Sequence, residues 1–270
     1  MRSTIFFLLV TILFNTGCRK DPPGETVSTQ KLILTFDFMI DGNPLQRDTL
    51  LYMNEAGNQY MVNEIQYFIS DVVLHRPNGD PVLLDAWTAI HYIDSDLPDT
   101  RRWEVYDTIP AGSYDSVSFT FGINEAKNQS LMFLNPPESF MFWPEYLGGG
   151  YHYMKLNGKW LDTNSVVQPF DFHLGIGQIY AHYPDSIIGF VQNYFTVSLP
   201  NSAFSLPANG QQQITIVMNI ENWFRNPNTF DFNHWGGDIM QNQEAMRLGC
   251  ENGHDVFTSI VAKQGSIEQK

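Results

Sequence analysis

Apolar and polar side chains alternate with a period of two over several segments of the chain. The alternation runs through residues 32–40 and occurs again in 116–121, 195–199 and 214–220. Because successive side chains of a strand point to opposite faces, this pattern predicts half-buried β-strands. Enrichment in aromatic and β-branched residues predicts further strands at 65–74, 89–94, 151–156 and 170–174.

Turn signals separate these segments. Residues 77–80 (Pro-Asn-Gly-Asp) and Asn157-Gly158 carry the Asn-Gly pair typical of hairpin turns. At least eight strands joined by such turns predict a mostly β fold, either an antiparallel β-sandwich or an open barrel.

One segment near the end of the chain departs from this period. In residues 238–252 the apolar side chains approach helical spacing, Asn242 is a suitable N-terminal cap, and Gly253 is a suitable stop. The pattern predicts a short C-terminal helix.

The beginning of the chain has the layout of an export signal. Arg2 precedes an apolar run of ten residues at 5–14, and Asn15-Thr16-Gly17 then leads to Cys18. The run is too short to span a bilayer, so residues 1–17 are predicted to be a lipoprotein signal peptide, with Cys18 as the lipidated residue. The alternative is an ordinary cleaved signal followed by an incidental cysteine. Lipidation predicts a membrane-anchored protein of the cell envelope, at the outer membrane and facing the periplasm or the surface.

The rest of the chain divides into a tether, one domain and a tail. Residues 18–30 are polar and contain Pro22-Pro23-Gly24, which is typical of a flexible tether. Residues 31–258 are predicted to form one β domain, and 259–270 a C-terminal tail.

Composition excludes several functions. A formal net charge of −14 disfavours binding to nucleic acid, because the phosphate backbone would be repelled. Two cysteines are too few for a cysteine-rich zinc site, and lipidation of Cys18 would leave Cys250 without a disulfide partner. The common hydrolase, zincin and nucleotide-binding motifs are missing, so we predict that the protein is not an enzyme.

Histidines on predicted strands are the candidate metal ligands. His152 would share a strand face with Met154, and His182 could return beside His173 across a bend. Imidazole together with a thioether suits copper, and the carboxylate of Asp171 could orient an imidazole by a hydrogen bond. The alternative is that each histidine makes an ordinary hydrogen bond at a strand edge.

Aromatic side chains give a second candidate. Residues 140–146 include Trp143 and Tyr146, which could stack against sugar rings if exposed or could close one end of a sandwich.

The order of these segments resembles a known family. The motifs that carry the resemblance are 67–74 (YFISDVVL), 109–122 (IPAGSYDSVSFTFG), 141–156 (MFWPEYLGGGYHYMKL), 172–175 (FHLG), 221–232 (ENWFRNPNTFDF) and 239–257 (IMQNQEAMRLGCENGHDVF). Together they are similar to the methanobactin-operon copper-binding family (MbnP-like), and the last two resemble its lipoprotein branch. The resemblance covers roughly residues 31–258.

The resemblance implies a β-rich envelope protein that binds copper. It also implies that a dihaem peroxidase-type partner oxidises a tryptophan to kynurenine, which then helps to hold the metal. His173, within FHLG, and Trp143, within MFW, match the family motifs. The triple glycine after Leu147 and the pair Cys250 and His254 depart from the usual pattern.

The functional hypothesis is therefore a non-catalytic, lipid-anchored copper-binding protein for uptake, storage or delivery. The candidate metal ligands are His173, His152, His182, His234 and Met154. The alternative is a surface lipoprotein that binds carbohydrate or protein through exposed aromatic side chains.

Overall fold

The computed structural model describes residues 30–86 and 89–263. The predicted signal peptide, Cys18 and nearly all of the tether lie outside the described residues. Among the residues that are described, no helix is long and apolar enough to cross a membrane.

Strands dominate the secondary structure. In chain order they are β1 (Lys31–Ile40), β2 (Asn43–Pro44), β3 (Tyr52–Met53), β4 (Gln59–His75), β5 (Val82–Leu84), β6 (Ile90–Asp94), β7 (Arg102–Glu104), β8 (Gly112–Tyr114), β9 (Ser116–Phe121), β10 (Met154–Leu161), β11 (Val167–Leu174), β12 (Gly177–His182), β13 (Ser186–Val191), β14 (Phe195–Ser198), β15 (Phe204–Leu206), β16 (Gln211–Asn219) and β17 (Phe257–Val261).

Helices in the described part of the chain are few and short. The α-helices are α1 (Phe232–Trp235) and α2 (Gln243–Asn252). Single turns of 3-10 helix occur at Pro98–Arg101, Glu138–Met141, Glu145–Leu147, Ile220–Phe224 and Gly253–Asp255.

Two sheets form the body of the domain. The first has the strand order β17-β16-β1-β2, with β7 also paired to β1, and its β1–β16 pair is parallel. The second has the order β11-β10-β4-β9-β14, and the short strands β3, β5 and β6 also pair with β4. The pairs of the second sheet are antiparallel. Strands β12 and β13 form a separate antiparallel ribbon, and β8 pairs with β15.

The hydrophobic core lies between the two sheets. Phe38 of β1 meets Tyr67 of β4 edge-on with ring centres 6.2 Å apart, and Phe119 of β9 meets Phe257 of β17 at 5.3 Å. All four side chains are buried. Burial of aromatic and aliphatic surface is the main stabilising contribution in a domain of this kind. The predicted mostly β sandwich is therefore confirmed.

Two predictions from the sequence need correction. Asn157-Gly158 was expected to form a hairpin turn, but both residues lie inside β10, where the pairing with β4 shifts register. Gly158 is required there because a Cβ atom would lie 2.2 Å from the Met61 carbonyl oxygen. The last strand also continues past residue 258, because Ser259 and Ile260 pair with β16 as part of β17.

The C-terminal helix has the predicted bounds and cap. The Asn242 side chain accepts a hydrogen bond from the Ala245 amide at 3.1 Å, and Gly253 ends α2. We expect Asn242→Ala to lower the free energy of unfolding by about 1 kcal/mol, because an amide at the helix start loses its acceptor. Urea denaturation measures the change. Asn242→Ser keeps an acceptor and should be close to the native protein, whereas equal destabilisation by both variants would argue against the cap.

Candidate metal centre

Strands β10 and β11 carry polar side chains on the face directed away from the core. Phe172 and Leu174 of β11 are buried, and the residues that alternate with them, Asp171 and His173, point to the opposite face. Lys155 of β10 lies directly across from His173 in the ladder. The period of two therefore places His173 on the outer face of the second sheet.

A loop over the end of this face covers it. The 3-10 turn Glu138–Met141 lies above the strands, and the Phe140 carbonyl accepts a hydrogen bond from the Lys155 ammonium group. His152 lies just before β10 and donates its backbone amide to the Met141 carbonyl at 2.7 Å. The loop thus helps to shield the imidazoles of His152, which is buried, and His173, which is 12% exposed, from solvent.

His152 has one hydrogen-bonded and one free ring nitrogen. Its Nδ1 lies 2.9 Å from the Met141 carbonyl oxygen. A carbonyl oxygen only accepts, so Nδ1 carries the hydrogen and Nε2 presents a lone pair. The Nε2 atom is buried and has no hydrogen-bond partner.

His173 also has one hydrogen-bonded and one free ring nitrogen, but the roles of Nδ1 and Nε2 are exchanged. Its Nε2 lies 2.7 Å from Asn157 Oδ1, while its Nδ1 is buried and unpartnered. Asp171, which the sequence suggested as the orienting group, lies 4.0 Å from Nε2, beyond hydrogen-bond distance. The orienting group is therefore the amide of Asn157 and not the carboxylate of Asp171.

The two imidazole rings are in edge-to-face contact. Their ring centres are 5.1 Å apart and the planes are nearly perpendicular, at 85°. Imidazole nitrogens bind metal ions at about 2 Å, so one ion could bond to a nitrogen of each ring. Leaving two buried nitrogens without partners costs stability, and a bound ion would remove that cost.

Both rings are held neutral. Burial first, and then the positive charge of Lys155, lower the pKa of His173 to about 3. The pKa of His152 also falls well below its usual value, first through burial and then through His173 and Lys155. Metal ions bind the neutral imidazole, so no proton has to leave before an ion binds at neutral pH.

Trp143 lies beside this pair. Its ring centre is 4.5 Å from that of His152 at an angle of 75°, and its Nε1 donates to the Leu147 carbonyl at 3.1 Å. Gly175 lets the ring approach, because a Cβ there would be 2.7 Å from it. Trp143 is fully buried, so it offers no surface for a sugar, and the exposed aromatic side chains of this segment are Phe140, Phe142 and Tyr146.

The other predicted ligands do not join the pair. His182 is the last residue of β12, in the separate ribbon that β12 forms with β13, and it is exposed. His234 is exposed in α1, with its ring against Trp235. Met154 is buried on the core side of β10, opposite to the face of His173. The alternation expected for His152 and Met154 fails because His152 lies before the strand begins.

A separate group of carboxylates lies along the same sheet. Oxygen atoms of Glu64, Asp94 and Asp96 come within 4.8 Å of one another, which makes them a possible cation site. These carboxylates already have hydrogen-bond or ion-pair partners within the protein. Tyr92 donates to Asp94 at 2.7 Å, and Arg47 pairs with Asp96. Among residues 30–86 and 89–263, this is the single cluster of three or more His, Cys, Asp or Glu side chains, so no third such ligand joins His152 and His173.

The fold and site define a β-sandwich protein with an enclosed pair of neutral imidazoles. The comparison with protein families is consistent with this class of protein. The family model described as MbnP matches residues 29–243, and the chain belongs to the MbnP family. Membership associates the chain with methanobactin and copper without identifying a ligand.

The comparison with solved structures concerns the fold. MbnP from Methylosinus trichosporium is similar with a TM-score of 0.50 and 13% sequence identity, over 87% of this chain and 99% of that chain. Identity this low shows a shared fold alone. No curated protein matches the sequence.

Proposed function

We propose that this protein is a non-catalytic copper-binding protein of the cell envelope that holds the metal between His152 and His173. The observation that carries the proposal is the pair of buried, unpartnered nitrogens, Nε2 of His152 and Nδ1 of His173. Imidazole suits several transition metals, and membership of the MbnP family favours copper among them.

The donor set favours the reduced ion. Cu(II) is typically bound in square-planar or tetragonal sites, which need more donors than two imidazoles. The ammonium group of Lys155 is near enough to lower the pKa of both rings, and its charge opposes a divalent cation more than a monovalent one. We therefore propose Cu(I) as the ion that binds first.

Maturation and location complete the proposal. Trp143 is the tryptophan packed on the site, so it is our candidate for oxidation to kynurenine by a dihaem peroxidase-type partner. Intact mass of the protein from its native host tests this step. We further propose that Cys18 is lipidated and anchors the chain at the membrane, for copper uptake, storage or delivery. Growth with a labelled fatty acid, compared with Cys18→Ser, tests the anchor.

Anaerobic titration of the purified protein with Cu(I), against a chromophoric chelator, is the direct test of copper binding. We expect one ion per chain, with nitrogen ligands by X-ray absorption. His173→Ala should lose this ion, because one of two donors is gone. His182→Ala and His234→Ala remove exposed imidazoles and should keep it. Absence of bound copper in the native protein, or unchanged stoichiometry in His173→Ala, would reject the site.

A further inference from the structure

We infer that Glu64 and Asn157 select which nitrogen of His173 is free to bind the metal. The inference rests on the proposed copper site and adds two positioning residues to it. Neither residue touches the place that an ion would occupy, because both act through Nε2, on the side of the ring away from Nδ1.

The first step is the contact between Glu64 and Asn157. These residues face each other across the β4–β10 ladder, and Asn157 Nδ2 lies 3.1 Å from Glu64 Oε2. An ionised carboxylate only accepts hydrogen bonds, so the amide must direct its NH₂ group toward it. The charge of Glu64 thus fixes the orientation of the Asn157 amide.

The second step follows from that orientation. With its NH₂ group directed to Glu64, Asn157 presents Oδ1 to His173, at 2.7 Å from Nε2. The oxygen only accepts, so Nε2 must carry the hydrogen and Nδ1 must hold the lone pair. If the amide were reversed, it would donate to Nε2, and the hydrogen would move to Nδ1, the nitrogen proposed to bind the metal.

The arrangement matters because a copper ligand needs a lone pair and not a hydrogen. Hydrogen-bond partners on the far nitrogen of a ligating histidine fix its tautomer, and their loss typically costs about 10- to 100-fold in metal affinity. The tautomer of His152 is fixed in the same way by the Met141 carbonyl, which can only accept a hydrogen bond. Only at His173 does a side chain make the choice, so this is the position where mutation can invert it.

The test is a reversal of the hydrogen-bond direction. In Glu64→Lys the new ammonium group donates to Asn157 Oδ1, which turns the NH₂ group toward His173. We expect ¹⁵N–¹H correlation spectra of the copper-free protein to show hydrogen on His173 Nε2 in the native chain and on Nδ1 in Glu64→Lys. We expect Cu(I) affinity to fall by about 10- to 100-fold in the variant.

Two controls separate this effect from charge and from damage to the fold. Gln66→Lys introduces the same ammonium group on β4, opposite Lys155 and not opposite Asn157, and should keep the native tautomer. The double variant Glu64→Gln with Asn157→Asp keeps an acceptor facing His173 and should bind Cu(I) nearly as the native protein does. Thermal denaturation confirms that each variant is folded.

The outcomes are distinct. Hydrogen on Nδ1 in the native protein, or hydrogen still on Nε2 in folded Glu64→Lys, overturns the inference whatever copper does. The expected inversion in the spectra supports the inference, even if the native protein binds no copper, in which case the proposed function alone fails.

Discussion

His152→Leu should abolish Cu(I) binding and leave the copper-free protein as stable as the native one, or more stable by about 1 kcal/mol. The substitution removes a buried ring nitrogen that has no partner. The Met141 carbonyl loses the bond from Nδ1 but keeps the one from the backbone amide of residue 152, at 2.7 Å. Leucine is similar in volume to histidine, so the enclosed position stays filled. A site that costs stability until it is occupied is expected to behave in this way.

Chelator competition and urea denaturation on the same samples measure the two effects. His234→Leu changes an exposed imidazole outside the site and should keep the native copper affinity. Stoichiometric copper in His152→Leu would show that this ring is not a ligand. Destabilisation of several kcal/mol would show that the imidazole is a structural element and not a reserved donor.

Lowering the pH should destabilise the folded protein in part because His91 must be protonated. His91→Phe should remove this contribution. His91 is stacked between Phe36 and Trp103, with ring centres 5.3 and 4.7 Å away, and burial lowers its pKa to about 4. The unfolded chain binds the proton near pH 6.5 while the folded chain does not. The stability contributed by the neutral ring is therefore complete above pH 6.5 and is lost as the pH falls toward 4, by about 3 kcal/mol.

Denaturation of both proteins between pH 7 and pH 4 isolates this contribution as a difference. At pH 7, His91→Phe should be less stable by about 1 kcal/mol, because the Thr100 carbonyl loses its donor. The gap should close and then reverse as the pH falls. Parallel curves for the two proteins would mean that folding leaves the pKa of His91 unchanged, which would contradict the prediction. His254→Gln, which removes an exposed histidine, provides the matched control.

Local pattern was sufficient to predict most of the fold. The alternation in residues 32–40 corresponds to β1, and the caps around residues 242 and 253 correspond to the ends of α2. Both signals depend on near neighbours in the chain. Asn157-Gly158 failed because the same dipeptide also fits a strand where another backbone approaches closely, and sequence alone does not show that approach.

The site was predictable only in part, for the same reason. His152 and His173 were named as candidates, but their approach depends on the register of β10 with β11 and on the loop above it. The same register brings Asn157 to His173 and Glu64 to Asn157. A period of two continued through residue 157 would place Lys155 and Asn157 on one face of a strand, but the interpretation of 157–158 as a turn concealed that signal.

The parallel pairing of β1 with β16 delays folding of the first sheet until both strands have been synthesised. Thr35 and Thr215, which face each other in this pair, are 180 residues apart. Sheets closed by such distant segments form slowly, since much entropy is lost before the contacts are gained. A polypeptide emerging from the ribosome therefore cannot complete its first sheet until most of its length has been synthesised. For a chain proposed to be exported, this delay favours threading through a translocation channel, because the complete native domain cannot form before β16 has been synthesised.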